Sequence, residues 1–222
     1  AELFERGANV RPDDLARVMS GIRIESLRMG ELVADLLLLA RLDEGRPLRR
    51  DPVELVSLAA EAVAAALTVG PDWPIRLEAR NPVEVLGDRT RLRQVLDNLL
   101  TNVRAHTPPG TRVVVHVGSR GEEAFIEVAD DGPGLSPDAA DRVFERFYRV
   151  DESRSRDSGG AGLGLAIVAA IVGAHGGRVA TGAGGVGAGG VGAGGVGGQG
   201  SGATFTVQLP LTPASEQVPA PA

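Results

Sequence analysis

From Leu15 onward, apolar residues recur at alternating spacings of three and four: Leu15, Val18, Ile22, Met29, Leu32, Leu36 and Leu39. Glu25 is the one polar interruption of the row. The pattern predicts a long helix that starts at Arg11-Pro12-Asp13-Asp14 and runs to about Asp43, where Gly45-Arg46-Pro47 ends it. A coiled-coil seam and an ordinary amphipathic helix both fit this row. After Asp51 the period changes. An Ala-rich helix is expected over Val53 to Leu67, and short strands over Ile75 to Ala79 and Val83 to Leu86. A helix capped by Asp88 should run to His106. Two strands rich in β-branched residues follow, Thr111 to Val117 and Ala124 to Ala129. A helix should begin at Pro137, and a buried apolar one should cover Leu163 to His175 before Gly176-Gly177 stops it. The last strands are expected at Arg178 to Thr181 and Thr204 to Leu209. Helices with a mostly antiparallel mixed sheet predict a two-layer α/β sandwich, preceded by a long helix.

Between the last two strands, GAGGV occurs three times from Gly182 to Val196. Such sequence has nothing with which to form a core, so residues 182–200 read as a loop inside the sandwich. The Pro-containing segment 213–222 reads as a disordered tail. The expected domains are therefore residues 1–48, helical, and residues 49–212, the sandwich.

Composition narrows the chemistry. The 222 residues suffice for one good core and a small appendage. There is no Cys, which excludes disulfides and thiolate zinc sites. A net charge of -6 argues against a general nucleic-acid binder. No apolar run is long enough to span a bilayer, and a cytoplasmic setting is expected. The chain opens on Ala rather than Met, as a piece of a longer protein would. All 23 basic residues are Arg. A GC-rich genome is reason enough for that bias, but the consequence stands. A P-loop needs its Lys, and so does a Ser/Thr/Tyr-type kinase, so any ATP site here has another design.

Three blocks occur in a fixed order. In the first, Asp97 to Thr107, Asn98, Asn102 and His106 are each four apart and share one helix face. An Asn carbonyl is a hard, neutral oxygen suited to Mg²⁺, although two Asn on a helix are also a common surface feature. In the second, Asp130 ends a largely apolar strand, where a carboxylate can accept from the exocyclic amine of adenine. Gly132 and Gly134 let the backbone turn and approach a flat base, although a plain Asp-Gly turn has the same sequence. In the third, Gly160, Gly162 and Gly164 open the apolar helix, where backbone N–H groups attract phosphate. No strand leads directly into them, so a Rossmann site is not expected. Residues 135–159 then form a lid that Phe144, Phe147 and Tyr148 could latch, and Arg146, Arg149 and Arg154 could reach phosphates.

Together these residues resemble the catalytic and ATP-binding domain of sensor histidine kinases. Asp97 to His106 is similar to that family's asparagine box, and Asp130 to Gly134 to its first glycine box. Phe144 to Arg149 resembles the phenylalanine box, and Gly160 to Gly164 the second glycine box. Residues 11–43 resemble the second helix of the dimerisation and histidine-phosphotransfer domain. The resemblance implies the GHKL-type ATP-binding sandwich, with helices on one face of the sheet. It implies that Asn98 and Asn102 hold Mg²⁺, that Asp130 reads adenine and that His106 packs beside the base. Arg146, Tyr148, Arg149 and the backbone around Leu163 would complete an Mg-ATP site. Relatives often carry a cation where Ala105 stands; Arg104 is one residue out of that register.

The family's phospho-acceptor His, its adjacent acid and the Leu-Arg-Thr-Pro that follows lie on a first helix, of which Ala1 to Gly7 would be the end. None of His106, His116 and His175 has those neighbours, so no residue of the chain is expected to be the catalytic acceptor. The implied activity is transfer of the ATP γ-phosphate to a His on a helical-hairpin domain, then to an Asp of a response regulator. The Leu15–Leu39 seam offers a homodimer interface. Three other readings stay open: a hydrolysing relative of the gyrase or heat-shock chaperone class, an anti-sigma-type Ser/Thr kinase, and a non-catalytic dimerising scaffold. The hydrolysing relatives carry Glu at the Asn98 position to activate water, a task for which Asn lacks the basicity.

Overall fold

The computed structural model describes residues 12–149, 161–184 and 202–211. The chain resolves into two units that divide between Arg41 and Leu42. Helix α1 (Pro12–Asp43) runs unbroken over 32 residues and supplies the described part of the first unit, its last two residues, Leu42 and Asp43, belonging to the second. Its row at sevenfold spacing is open to solvent, with Leu15 at 42%, Ile22 at 51%, Met29 at 64% and Leu36 at 39% exposure.

The second unit comprises β1 (Asp51–Glu54), α2 (Leu55–Val69), β2 (Ile75–Ala79), β3 (Glu84–Gly87), α3 (Arg89–His106), β4 (Val113–Arg120) and β5 (Glu123–Asp130). It continues with α4 (Pro137–Arg142), α5 (Gly164–Ala174), β6 (Arg178–Ala183) and β7 (Ala203–Pro210). The main sheet has the order β2-β4-β5-β7-β6; β2 lies parallel to β4 and the other neighbours are antiparallel. Strand alternation sends Val113, Val115, Val117, Ala124, Ile126, Val128, Phe205, Val207 and Leu209 into the core. Leu92, Val95, Leu96, Leu99 and Leu100 of α3 meet Ile167, Val168, Ile171 and Val172 of α5 in the same core. This is the expected two-layer sandwich with a mostly antiparallel sheet.

Two differences from the sequence reading add to the fold, beyond shifts of a few residues at other boundaries. The Ala-rich helix begins at Leu55, because Asp51 to Glu54 pairs antiparallel with β3 and buries Val53 against Val85. Glu54 then caps α2, its carboxylate accepting from Val56 N at 2.9 Å and Ser57 N at 2.7 Å. Those donors hold the Glu54 carboxyl below its ordinary range against the desolvation that opposes them. Strand β6 also runs two residues into the first GAGGV, where Gly182 pairs with Thr204 and Ala183 with Ala203. The rest of the repeat, residues 185–201, lies outside the described residues, as do 1–11 and the tail from 212.

His175 joins the two principal helices. Its ring is 7% exposed, with Nδ1 2.8 Å from Ile171 O and Nε2 accepting from Asp88 N–H at 3.0 Å. One ring nitrogen must donate and the other accept, so the neutral Nδ1–H tautomer fits. Asp88 in turn caps α3, accepting from Arg91 N at 3.1 Å. His175→Ala would leave the Asp88 N–H unpaired, while Ile171 O keeps the backbone N–H of residue 175, and we expect a loss of about 1–3 kcal/mol in urea denaturation. A midpoint equal to the wild type would contradict this bridge.

Candidate active site

Asp130 ends β5 on the face that also carries Ala124, Ile126 and Val128, so its carboxylate enters the sandwich at the end of a core row. It is only 3% exposed. Oδ1 accepts from Gly132 N at 2.9 Å and more weakly from Ala203 N at 3.4 Å. Desolvation raises its pKa, the two N–H donors oppose the rise, and neighbouring Asp131 adds to it. Asp131 points elsewhere and clamps the start of β4. It accepts from Arg112 N and Arg112 Nε, both at 2.7 Å, and its pKa is lowered although slight burial opposes this.

The glycines around this carboxylate are crowded. A Cβ on Gly132 would stand 2.7 Å from Thr107 Cγ2 and 2.8 Å from Asp130 Oδ1. Gly134 has φ +77°, and a Cβ there would stand 2.9 Å from Gly202 O. The turn after Asp130 is thereby pressed between the end of α3 and the entry to β7.

Helix α3 supplies one wall. Its buried stripe of Leu92, Val95, Leu96, Leu99, Leu100 and Val103 faces the core, which leaves Asn98 and Asn102 half-buried on an adjoining face. Asn98 Nδ2 donates to Gly164 O at 3.1 Å, joining α3 to the first residue of α5. That contact uses the amide's N–H side, so its oxygen is the atom left for another partner. His106 lies at the end of the same face. Desolvation first, and then the positive charge of Arg149, hold its imidazole below the ordinary range.

The lid begins on anchored residues. The rings of Phe144 and Phe205 meet edge to face with centroids 6.4 Å apart, and the Arg142 guanidinium lies 4.5 Å from the Tyr148 ring centre. Phe147, 58% exposed, adopts φ 62°, a left-handed conformation that a bulky residue takes only under constraint. The constraint is visible: Phe147 N donates to Gly162 O at 3.0 Å. Gly162 has φ +71°, and a Cβ there would stand 3.0 Å from Tyr148 O and 3.1 Å from Phe147 C. At the expected lid, the described residues on either side of 150–160 are therefore joined by a backbone hydrogen bond.

Hydrogen bonds and close approaches link Asn98 to Gly164, Phe147 and Tyr148 to Gly162, and Thr107 through Gly132 to Asp130, while the charge of Arg149 acts on His106. Asn98, His106, Asp130, Gly132, Tyr148, Arg149, Gly162 and Gly164 are thus brought together. Asn102 shares their helix face, and Gly134 closes on Gly202. Leu163 is 2% exposed, so its side chain serves the core, while its carbonyl accepts from Ile167 N at 2.9 Å. Arg146 is engaged elsewhere, with Nη2 2.7 and 2.8 Å from the two Asp43 oxygens. Gly160 and Arg154 lie outside the described residues. Arg104, one residue out of register for a phosphate cation, lays its stem over Gly70 on another face.

Sequence reasoning missed Gly202, the Ala203 N–H and the wall made by Thr107. Thr107 is the last residue of a block already singled out. Gly202 and Ala203 lie beyond the repeat, after Gly197 to Ser201, and carry no pattern of their own.

Comparison with known proteins identifies relatives of the chain. The family described as histidine kinase-, DNA gyrase B-, and HSP90-like ATPase matches residues 87–213. A probable sensor histidine kinase of Mycobacterium tuberculosis, TcrY, is 48% identical over 170 residues, which make up 76% of this chain and 36% of TcrY. The chain therefore spans about a third of that relative's length. Among solved structures, full-length ShkA in complex with AMPPNP is similar over 92% of this chain and 40% of its own, with TM-score 0.70 and 29% identity. The mycobacterial sensor histidine kinase MprB is similar over 74% of this chain and 99% of its own, with TM-score 0.60 and 28% identity.

The stitched lid can be tested directly. Gly162→Ala would force a methyl group against the Tyr148 carbonyl at a left-handed position, a strain of about 1–3 kcal/mol. We expect the Phe147 amide to lose protection from hydrogen exchange while the β5 amides keep theirs. Unchanged protection at Phe147 would show that Gly162 does not hold the lid.

Proposed function

The chain belongs to the histidine kinase-, DNA gyrase B- and HSP90-like ATPase family, and from that premise we propose that it is the ATP-binding catalytic part of a two-component sensor histidine kinase. The carrying observation is the carboxylate of Asp130, buried at the end of a core row with both described donors on Oδ1. The other oxygen, Oδ2, would accept from the adenine amine. His106 would pack on the base, and the N–H groups at the start of α5 would meet the phosphates.

The donor set suits a hard cation. Asn98 has its N–H side committed to Gly164 O, so its oxygen is available, and Asn102 stands one turn further on. Neutral amide oxygens with phosphate oxygens are a common setting for Mg²⁺. When bound, the ion would neutralise charge on the phosphates. Asn98 has no basicity with which to activate water, which favours transfer over hydrolysis. Arg149, whose charge acts on His106, would face the phosphate end of the ligand, while the stitched lid would exclude water.

The acceptor would be a His on a helical-hairpin domain, with onward transfer to an Asp of a response regulator. His175 is unsuited, because it is buried with both nitrogens engaged. His116 stands in β4 with Nδ1 3.5 Å from Glu78. His106 belongs to the base site. The open apolar row of α1 would pair with a second copy, in a cytoplasmic setting. No helix among the described residues is long and apolar enough to cross a membrane.

Two outcomes follow. Asp130→Asn should weaken ATP binding by roughly 1.5–3 kcal/mol in calorimetry, the scale of a charge-assisted hydrogen bond, and chelating Mg²⁺ should weaken it further. Unchanged affinity in either case would remove the base or the metal assignment. With labelled ATP, the chain alone should acquire no acid-labile label, whereas an added hairpin domain carrying a His-acid-Leu-Arg-Thr-Pro segment should. Acid-labile label on the chain alone, abolished by replacing one of its three His, would overturn this reading.

A further inference from the structure

Trp73, the chain's one tryptophan, stands in the loop between α2 and β2, far in sequence from every residue assigned above. Its indole Nε1–H donates to Thr107 Oγ1 at 3.0 Å. The Thr107 hydroxyl has one hydrogen, and it donates to Val103 O at 2.8 Å. With its hydrogen spent on one side and a lone pair held on the other, the hydroxyl has one rotamer that meets both. That rotamer lays the Thr107 methyl group against Gly132, where an added Cβ would stand 2.7 Å from Cγ2. Gly132 N–H is the nearer of the two donors on the Asp130 carboxylate, at 2.9 Å.

The loop that carries Trp73 is itself held. Gly110 N donates to Asp72 O at 2.8 Å and Val113 N to Pro74 O at 2.9 Å. The ring lies on Gly70, where an added Cβ would stand 3.3 Å from Cε3. A fixed indole thus reaches the base site through one side chain. We propose that Trp73 is a positioning residue that sets preference for adenine, by fixing the Thr107 wall and with it the Gly132 N–H that aims Asp130. The inference rests on the reading of Asp130 as the base-reading group.

ATP and ITP separate the two ideas, because inosine lacks the exocyclic amine that Asp130 would accept from. Calorimetry on the full chain would compare Trp73→Phe, Thr107→Val, the double variant and Asp130→Asn. Trp73→Phe keeps an apolar ring and removes the N–H. Thr107→Val keeps a methyl group, removes the hydroxyl and suits the extended φ of -122° there. Each single change should weaken ATP about three- to tenfold, the scale of one hydrogen bond, with ITP affinity unchanged. The double variant should lose no more than either single one, since both break one linkage.

Equal losses for ATP and ITP, additive losses, or an unchanged ATP-to-ITP ratio would overturn the proposal. If Trp73→Phe does not fold, the ATP-to-ITP ratio of Thr107→Val decides by the same criteria. Asp130→Asn assigns the failure. A preserved ATP preference in that variant removes the base assignment itself. A preference lost in Asp130→Asn but kept in Trp73→Phe removes only the role of Trp73.

Discussion

A carboxylate withdrawn from water is the constraint on which the site depends. An isolated buried charge costs several kcal/mol, so Asp130 can stay only where donors meet it. Gly132 supplies one N–H and Ala203 the other, from a turn and from the first residue of β7. Those donors fix the path of the turn after β5 and the point at which β7 begins. Gly134 then lies so close to the Gly202 carbonyl that a Cβ would stand 2.9 Å away. Among the described residues, no buried side-chain nitrogen or oxygen lacks a partner, so the polar site adds no unmet cost to the core.

The second feature is the pair of hydrogen bonds that join helix ends to loop ends. Asn98 holds the start of α5, and Gly162 holds Phe147. The first is an amide on a carbonyl, the second a backbone bond at a left-handed glycine. Only the second carries evident strain, since Phe147 itself has φ 62°. Strain at the mouth of a site is tolerated when the surroundings over-determine it, as the Phe144–Phe205 contact and the Gly162 carbonyl do here.

The three His show how far one side-chain type divides by setting. His175 is a buried hydrogen-bonded bridge between α3 and α5. His116 sits in β4, across from Glu127, whose carboxyl is raised by burial while His116 and Arg120 pull it down. His106 ends α3, its imidazole held below the ordinary range by desolvation and then by the charge of Arg149. Sequence alone ranked them only by their neighbours. Their surroundings in the fold set each apart.

Periodicity by itself determined most of the elements, because side chains that must leave water do so with the repeat of the helix or strand that carries them. The long α1, the Asp88 cap, the stop at Gly176 and the pairing partners β4 and β5 are all local consequences of that rule. The asparagine face and both glycine blocks were legible for the same reason: each lies within a few residues of chain. What only the tertiary structure decided is long-range. Val53 and Glu54 read as the start of a helix until β3 offers Asp51 to Glu54 a ladder. Arg146 reads like any other lid Arg until Asp43, 103 residues away, takes it. Trp73 and Thr107, 34 residues apart, share no pattern, and nor do Ala203 and Asp130, 73 apart. A hydrogen bond between distant residues leaves no period in the sequence, because only the fold brings its donor and acceptor together.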